Sequence, residues 1–268
     1  MNGKELTELR VSYQLKPVRV QWPVFRRQNF HQDDFYKPEN QLPIDPKTGL
    51  ANWDCPSAID FPSLITTLQH VKQHGVFPEG FDSLEDKNPV GSKEVSEPVA
   101  EEVLDELRER IMARVDRVQG GGVKAATTKF VILDGFMLYV NEELRDTIDV
   151  RFFLTAPYQV LKDRRESRKG YATLEGYWED PPGYFDDIVW PNYTIYNEPF
   201  AKLANAIEVG QDSGVYSHDK SALKADKDAT LREDPMTHKV DVVSSGKATI
   251  QEMVESVSTL LSKRISEL

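Results

Sequence analysis

The stretch KFVILDGFMLY, residues 129–139, decides how this chain folds. Val131, Ile132 and Leu133 are consecutive apolar residues, the pattern of a strand covered on both faces. The run stops at Asp134-Gly135, a turn signal. Working outward, residues 150–154 read as a second strand ending at Thr155, and Pro157 opens a helix that becomes strongly charged, KDRRESRK. A third strand, residues 239–243, leads through SSGK into a closing helix marked by Ile250, Met253, Val257 and Leu261. Upstream, Val103, Leu107, Ile111 and Val115 mark an amphipathic helix. Ile59, Phe61, Leu64, Ile65, Leu68 and Val71 mark another, with Asp54 expected as its N-cap and Gly75 as its stop. Strands alternating with helices imply an α/β fold: a mostly parallel sheet flanked by helices.

The remaining segments set the boundaries. Residues 1–30 read as irregular; residues 18–22 alternate weakly, and Pro23 then confines them to a sheet edge at most. Residues 31–268 form the main domain, with polar insertions at about 77–97 and 211–232. Residues 119–128 form a loop with three glycines, residues 170–183 a loop rich in Tyr, Trp, Gly and Pro, and residues 184–206 are expected to be largely helical.

Composition narrows the function. The 268 residues carry a formal net charge of -11, with 39% hydrophobic and 29% charged residues. That is an ordinary globular composition. The acidity argues against a general nucleic-acid binder and against an anionic membrane surface. Cys55 is the single cysteine, so no internal disulfide forms, which suits a reducing compartment. No apolar run is long enough to span a bilayer, and no signal-peptide core opens the chain. Cytosol, or nucleus, is the expected address.

Chemistry concentrates in a few places. HQDDFYKPEN, residues 31–40, sets Asp33 and Asp34 beside Phe35 and Tyr36. Asp33 follows a possible strand and Asp134 ends a strong one. Ligands of α/β sheets sit at that carboxyl edge, where two carboxylates can hold Mg²⁺ or take a proton from a hydroxyl. A lone aspartate there serves equally as a cap or turn former. Arg164, Arg165 and Arg168 share one helix face, suited to phosphate oxygens or to a solvated face paired with Asp163 and Glu166. Tyr171, Tyr177, Trp178 and Tyr184 can close over a flat ring or pack on the core. QGGGVKAATT and SSGKAT both lack the spacing of G-x-x-x-x-G-K-[ST]. Of the five histidines only His70 and His74 have a metal-like i, i+4 spacing, and no Glu follows His70 as a zinc-protease helix requires; all five read as surface residues, and no serine nucleophile elbow is present.

HQDDFYKP, Trp53-Asp54, ILDGF, DRRESR and PPGYFDDIVWPNY, taken in that order, resemble the nicotinamide riboside kinases, relatives of the uridine kinases among the P-loop kinases. The resemblance runs from about His31 to Tyr196 and resumes more weakly from Lys239. It implies transfer of a phosphoryl group from ATP, with Mg²⁺, to the ribose 5′-hydroxyl of nicotinamide riboside, a step of NAD salvage. By motif match Asp33 is the catalytic base and a Mg²⁺ ligand, and Asp134 is the second acidic residue near the metal. Asp34, Phe35, Tyr36, Trp53, Asp54, Arg165 and Tyr171 line the nucleoside site. Arg164, Arg168 and Tyr171, with Ser245, Gly246 and Lys247, face ATP. In that family a strand, a G-x-x-x-x-G-K-[ST] loop and a helix precede the HQDD position. Residues 1–30 hold no such loop, so the N-terminal strand–loop–helix is expected to be incomplete, to leave a gap beside the core and to depress turnover. A nucleoside-binding protein without catalysis, and a uridine-type kinase, are the alternatives.

Overall fold

The structure is a computed structural model. It describes residues 7–9, 18–20, 29–84, 99–118, 130–168, 170–174, 176–200, 202, 215–216, 235–245 and 248–267. The strands, in chain order, are β1 (Thr7–Leu9), β2 (Val18–Val20), β3 (Asn29–His31), β4 (Ile132–Asp134), β5 (Arg151–Thr155), β6 (Tyr171–Thr173), β7 (Gly176–Trp178), β8 (Val215–Tyr216) and β9 (Val240–Ser244). The α-helices are α1 (Phe61–His74), α2 (Glu101–Val118), α3 (Glu142–Thr147), α4 (Tyr158–Glu166), α5 (Trp190–Tyr196) and α6 (Ile250–Ile265).

Two parallel ladders carry the α/β architecture. β3 pairs with β4, setting Phe30 opposite Leu133 and His31 opposite Asp134. β5 pairs with β9 in parallel, and β8 adds to β9 antiparallel. Among the described residues no ladder hydrogen bonds join β4 to β5. The two ladders nevertheless share one core. Phe30, Val240 and Val242 are buried in a single cluster, with Leu133 and Phe153 packed against it. Phe200 ties the halves together, stacking on Phe153 at 4.3 Å and meeting Tyr139 at 5.4 Å. The Tyr139 hydroxyl donates to the Phe152 carbonyl of β5 at 2.7 Å.

The ends of the helices follow from local chemistry. Asp60, not Asp54, caps α1: it accepts from Ser63 N at 3.2 Å, and Pro62 sits in the first turn. The expected cap at Asp54 fails because the chain first makes a 3₁₀ turn at Pro56–Ala58. Gly75 closes α1 in the left-handed conformation (φ 68°), its N–H reaching Val71 O at 2.7 Å. Thr249 and Glu252 form a capping box on α6. α6 packs on α2 through Val254 against Leu104 and Leu107, and through Ile265 against Ile111 and Val115.

Other sequence expectations are adjusted. Among the described residues β2 pairs with β1 and with neither of the two parallel ladders. β4 is half-exposed rather than covered on both faces. In the expected insertion after α1, Phe77 and Phe81 stack at 4.5 Å and pack on the core beside Phe30. The expected loop 170–183 contains a hairpin, β6–β7. The helical stretch after it opens with a π-helical turn, Phe185–Val189. The glycine loop 119–128 lies outside the described residues, as do 85–97 and, apart from β8, 211–232.

β9 carries one charged residue into the core. Asp241 is fully buried, and Arg264 of α6 grips it with two bonds of 2.8 Å. Removing one partner of a buried pair leaves the other's charge poorly compensated. Arg264→Ala is therefore expected to cost about 3 kcal/mol, read as a lower urea midpoint at constant slope. A cost under about 0.5 kcal/mol would show that the pair does not hold α6 on the sheet.

Candidate functional site

β3 ends at His31 and runs straight into a 3₁₀ turn, Gln32–Phe35, which carries Asp33 and Asp34. Gln32 is fully buried, and its Oε1 accepts from the N–H groups of Phe136 and Met137 at 3.1 and 2.9 Å. This fixes the loop after β4 against the Asp33 turn. Gly135 is required there, since a Cβ would lie 2.5 Å from Gln32 Cβ. The parallel register sets His31 beside Asp134, with Nδ1 and Oδ1 at 2.5 Å. His31 is thus a buried partner of the candidate metal ligand, not a surface residue. It reaches that position because it is the last residue of a strand in the core.

Tyr36 is the meeting point of the cluster. It bridges to Ile59 antiparallel, which folds residues 37–58 back over it. Its ring meets Trp53 edge-on at 5.2 Å and stacks with Phe136 at 6.1 Å. Burial raises the Tyr36 hydroxyl well above the usual phenol pKa; Asp33, Asp54 and Tyr171 add to the rise and Arg165 opposes it. Asp33, Asp54, Arg165 and Tyr171 therefore all act on one hydroxyl.

Arg165, in the last turn of α4, is the cation of this group. Its Nε and Nη2 contact Asp180 at 2.6 and 3.2 Å, and its Nη1 and Nη2 reach the Asp54 oxygens at the longer 3.5 and 3.4 Å. The Tyr171 ring meets two guanidiniums, with Arg165 at 4.8 Å and Arg168 at 4.9 Å from its centre. Burial pushes the Tyr171 hydroxyl up to about 12, with Arg165 and Arg168 pulling against it. Gly170 has φ 117° and lies so close to β7 that a Cβ would meet the Trp178 carbonyl at 2.5 Å, so this hairpin closes only with glycine at its base. Trp178 packs on Trp53 at 5.6 Å, and Tyr184 donates to Ala51 O and accepts from Trp53 N.

The other expected site residues lie as follows. Asp34 Oδ1 accepts from Ser83 Oγ and Leu84 N, so this carboxylate anchors the segment after α1. Phe35 is a core residue, edge-on to Phe30. Arg164 reaches Ser245 Oγ at 3.4 Å, and Ser245 bonds back to Thr155 O, at the carboxyl end of β5. Gly246 and Lys247 lie outside the described residues. Gln32, His31 and Asp180 are parts of the arrangement that motif reading did not single out; Trp178, expected among the loop aromatics, packs on Trp53 and donates to Asp180.

Two polar atoms of the cluster, Trp53 Nε1 and Tyr171 Oη, are buried with no hydrogen-bond partner. Each costs about 1–3 kcal/mol. Among the described residues no group of three or more His, Cys, Asp or Glu could hold a metal alone. Asp33, in the turn after β3, and Asp134, at the end of β4 opposite His31, are carboxylates at the ends of neighbouring parallel strands; Mg²⁺ characteristically takes one or two carboxylates beside phosphate oxygens and water. A groove of about 530 Å³ beside Phe61, Val140, Ile195 and Met236 contains none of the cluster's side chains, and no observation connects it with the chemistry.

No family model matches the chain. Curated relatives do. The chain is 38% identical over 163 residues to a nicotinamide riboside kinase of Schizosaccharomyces pombe, covering 61% of this chain and 64% of that protein. It is 38% identical over 163 residues to the Saccharomyces cerevisiae nicotinamide riboside kinase, covering 61% and 63%. Against human nicotinamide riboside kinase 2 it is 29% identical over 192 residues, covering 71% and 64%. The chain is thus similar to nicotinamide riboside kinases and spans somewhat less than two thirds of their length.

The site generates a prediction about Asp54, which is 5% exposed. Burial raises its carboxyl pKa; Arg165 opposes, at long distance, and Asp180 adds to the rise. The folded chain therefore binds this proton more tightly than the unfolded chain. Its favourable contribution is complete below the unfolded value of 3.8 and is lost as pH rises through the folded one. Asp54→Asn imitates the protonated side chain. It should leave the melting temperature at neutral pH equal or higher, the difference vanishing as the solution is acidified. A lower melting temperature at neutral pH would mean that the Arg165 pair outweighs burial.

Proposed function

We propose that the cluster around Tyr36 is the nucleoside site of a nicotinamide riboside kinase. The carrying observation is the group of Trp53, Asp54, Arg165 and Tyr171, in which Trp53 Nε1 and Tyr171 Oη are buried without a hydrogen-bond partner among rings and carboxylates. The nicotinamide ring of the riboside is a flat cation. Rings that present π faces, and three carboxylates (Asp33, Asp54, Asp180) against two guanidiniums, suit such a group. Asp54 and Arg165 offer acceptors and donors to the ribose hydroxyls. Asp33 is the base for the 5′-hydroxyl, and Asp33 and Asp134 are the residues for Mg²⁺. Phosphoryl transfer needs little beyond this positioning and charge neutralisation. ATP is the donor, with Arg164, Arg168, Ser245, Gly246 and Lys247 toward it, and nicotinamide mononucleotide is the product. The names of the homologues support the same reading.

One observation favours a second reading, nucleoside binding without turnover. The 268 residues contain no G-x-x-x-x-G-K-[ST]. In P-loop kinases consecutive amides of that loop hold the β- and γ-phosphates. Calorimetric titration with nicotinamide riboside, uridine and Mg²⁺-ATP, beside a coupled ATP-consumption assay, separates the readings. Nicotinamide riboside should bind and uridine should not. Turnover should be very low in these residues alone and should appear when a strand, phosphate loop and helix are joined before His31. Absence of nicotinamide riboside binding sinks the proposal, and equal turnover with and without the added segment sinks the requirement for the loop.

A further inference from the structure

We propose that Asp180 is a positioning residue of this site, acting through Arg165; the inference rests on the nucleoside reading above. The guanidinium has two partners of unequal grip. Asp180 takes the Nε edge at 2.6 and 3.2 Å, a matched bidentate contact that fixes the plane of the group. Asp54 receives only the 3.5 and 3.4 Å contacts. Asp180 is itself held in place: Trp178 Nε1 donates to its Oδ1 at 2.9 Å, and the following Pro181 restricts its backbone. Side-chain exposures of 18% for Arg165 and 19% for Asp180 leave the pair partly open, whereas Asp54 is at 6%.

The consequence is a division of labour between two carboxylates. While Asp180 holds the Nε edge, the guanidinium cannot close onto Asp54, and the Asp54 oxygens and Nη1 stay available to the hydroxyls of a sugar. Once Asp180 loses its charge, Arg165 is drawn to its remaining carboxylate. The Asp54 contact tightens into an ordinary ion pair, and the ribose must compete with it.

The test is a double-mutant cycle on nicotinamide riboside affinity, measured by titration calorimetry for wild type, Asp180→Asn, Arg165→Ala and the pair together, with melting temperatures beside each. Asp180→Asn should weaken binding about tenfold in the wild-type background and by less than about twofold once Arg165 is gone. Asp180→Ser serves if the asparagine variant does not fold. A merely structural role predicts the same loss in both backgrounds, and that result overturns the inference, as does unchanged affinity in Asp180→Asn. A wild-type chain that binds no nicotinamide riboside overturns the nucleoside reading, and this inference with it. Wild-type binding without coupling overturns this inference alone.

Discussion

One guanidinium held between two carboxylates organises the site. Taking the Arg165 charge out of water costs several kcal/mol unless partners compensate. Asp180 and Asp54 compensate it, and the Tyr171 ring covers its face. These four residues come from α4, the loop before the Pro56–Ala58 turn, the hairpin and the segment after it. Three of these segments follow one another within residues 158–180, whereas Asp54 lies 111 residues before Arg165, so the ion cluster and the core hold one another in register through that long-range contact. Burial works against the Arg165 charge, yet Asp54, Tyr171 and Asp180 together raise its pKa well above the ordinary value. Asp54 is raised as well, by its burial and by Asp180, and the long contact with Arg165 opposes that rise only in part.

The second anchor is the β3–β4 ladder. It is three residues long, but its register places His31 opposite Asp134 and sends Gln32 into the loop that follows β4. A slip of one residue would turn Phe30 out of the core and point His31 away from Asp134. The half-exposed apolar residues of β4 and β5 contrast with the buried Val240, Val242 and Val243 of β9. β9 is flanked on both sides, by β5 and β8, whereas β4 and β5 are each edges of their ladders among the described residues.

Much of this was legible in the sequence where periodicity carries the information. The runs of β4, β5 and β9 place those strands to within a residue or two, and the apolar spacing of α1, α2 and α6 places the bodies of those helices but not their ends. The signal for the true cap of α1 was also present, in Asp60-Phe61-Pro62-Ser63, and was masked by a second aspartate upstream. The hairpin was not legible, because its three-residue strands are short and lie among glycines and rings that read equally as loop. Motif order identified Asp33, Trp53, Asp54, Arg165 and Tyr171 as candidates, and the structure gathers them around Tyr36. It could not identify Asp180 or His31. Their significance lies in contacts 15 and 103 residues away along the chain, to which no local pattern points.

The adjacent aspartates of HQDD show how one short turn separates two tasks. In a 3₁₀ turn, successive side chains point about a third of a revolution apart. Asp34 is directed to Ser83 and Leu84, where it draws residues 77–84 over Phe30 and Phe35 and completes an aromatic layer of Phe30, Phe35, Phe77 and Phe81. Asp33, one step round, acts on Tyr36 and with it on the cluster of Asp54, Arg165 and Tyr171. A charge beside a chemical centre needs rigid support, since an ångström of freedom costs orientation. The neighbouring carboxylate supplies it by hydrogen-bonding the segment that roofs the turn. Exchanging the two residues' environments would leave the roof untied and place the wrong carboxylate beside Tyr36, so the pair is ordered by geometry even though the two side chains are chemically identical.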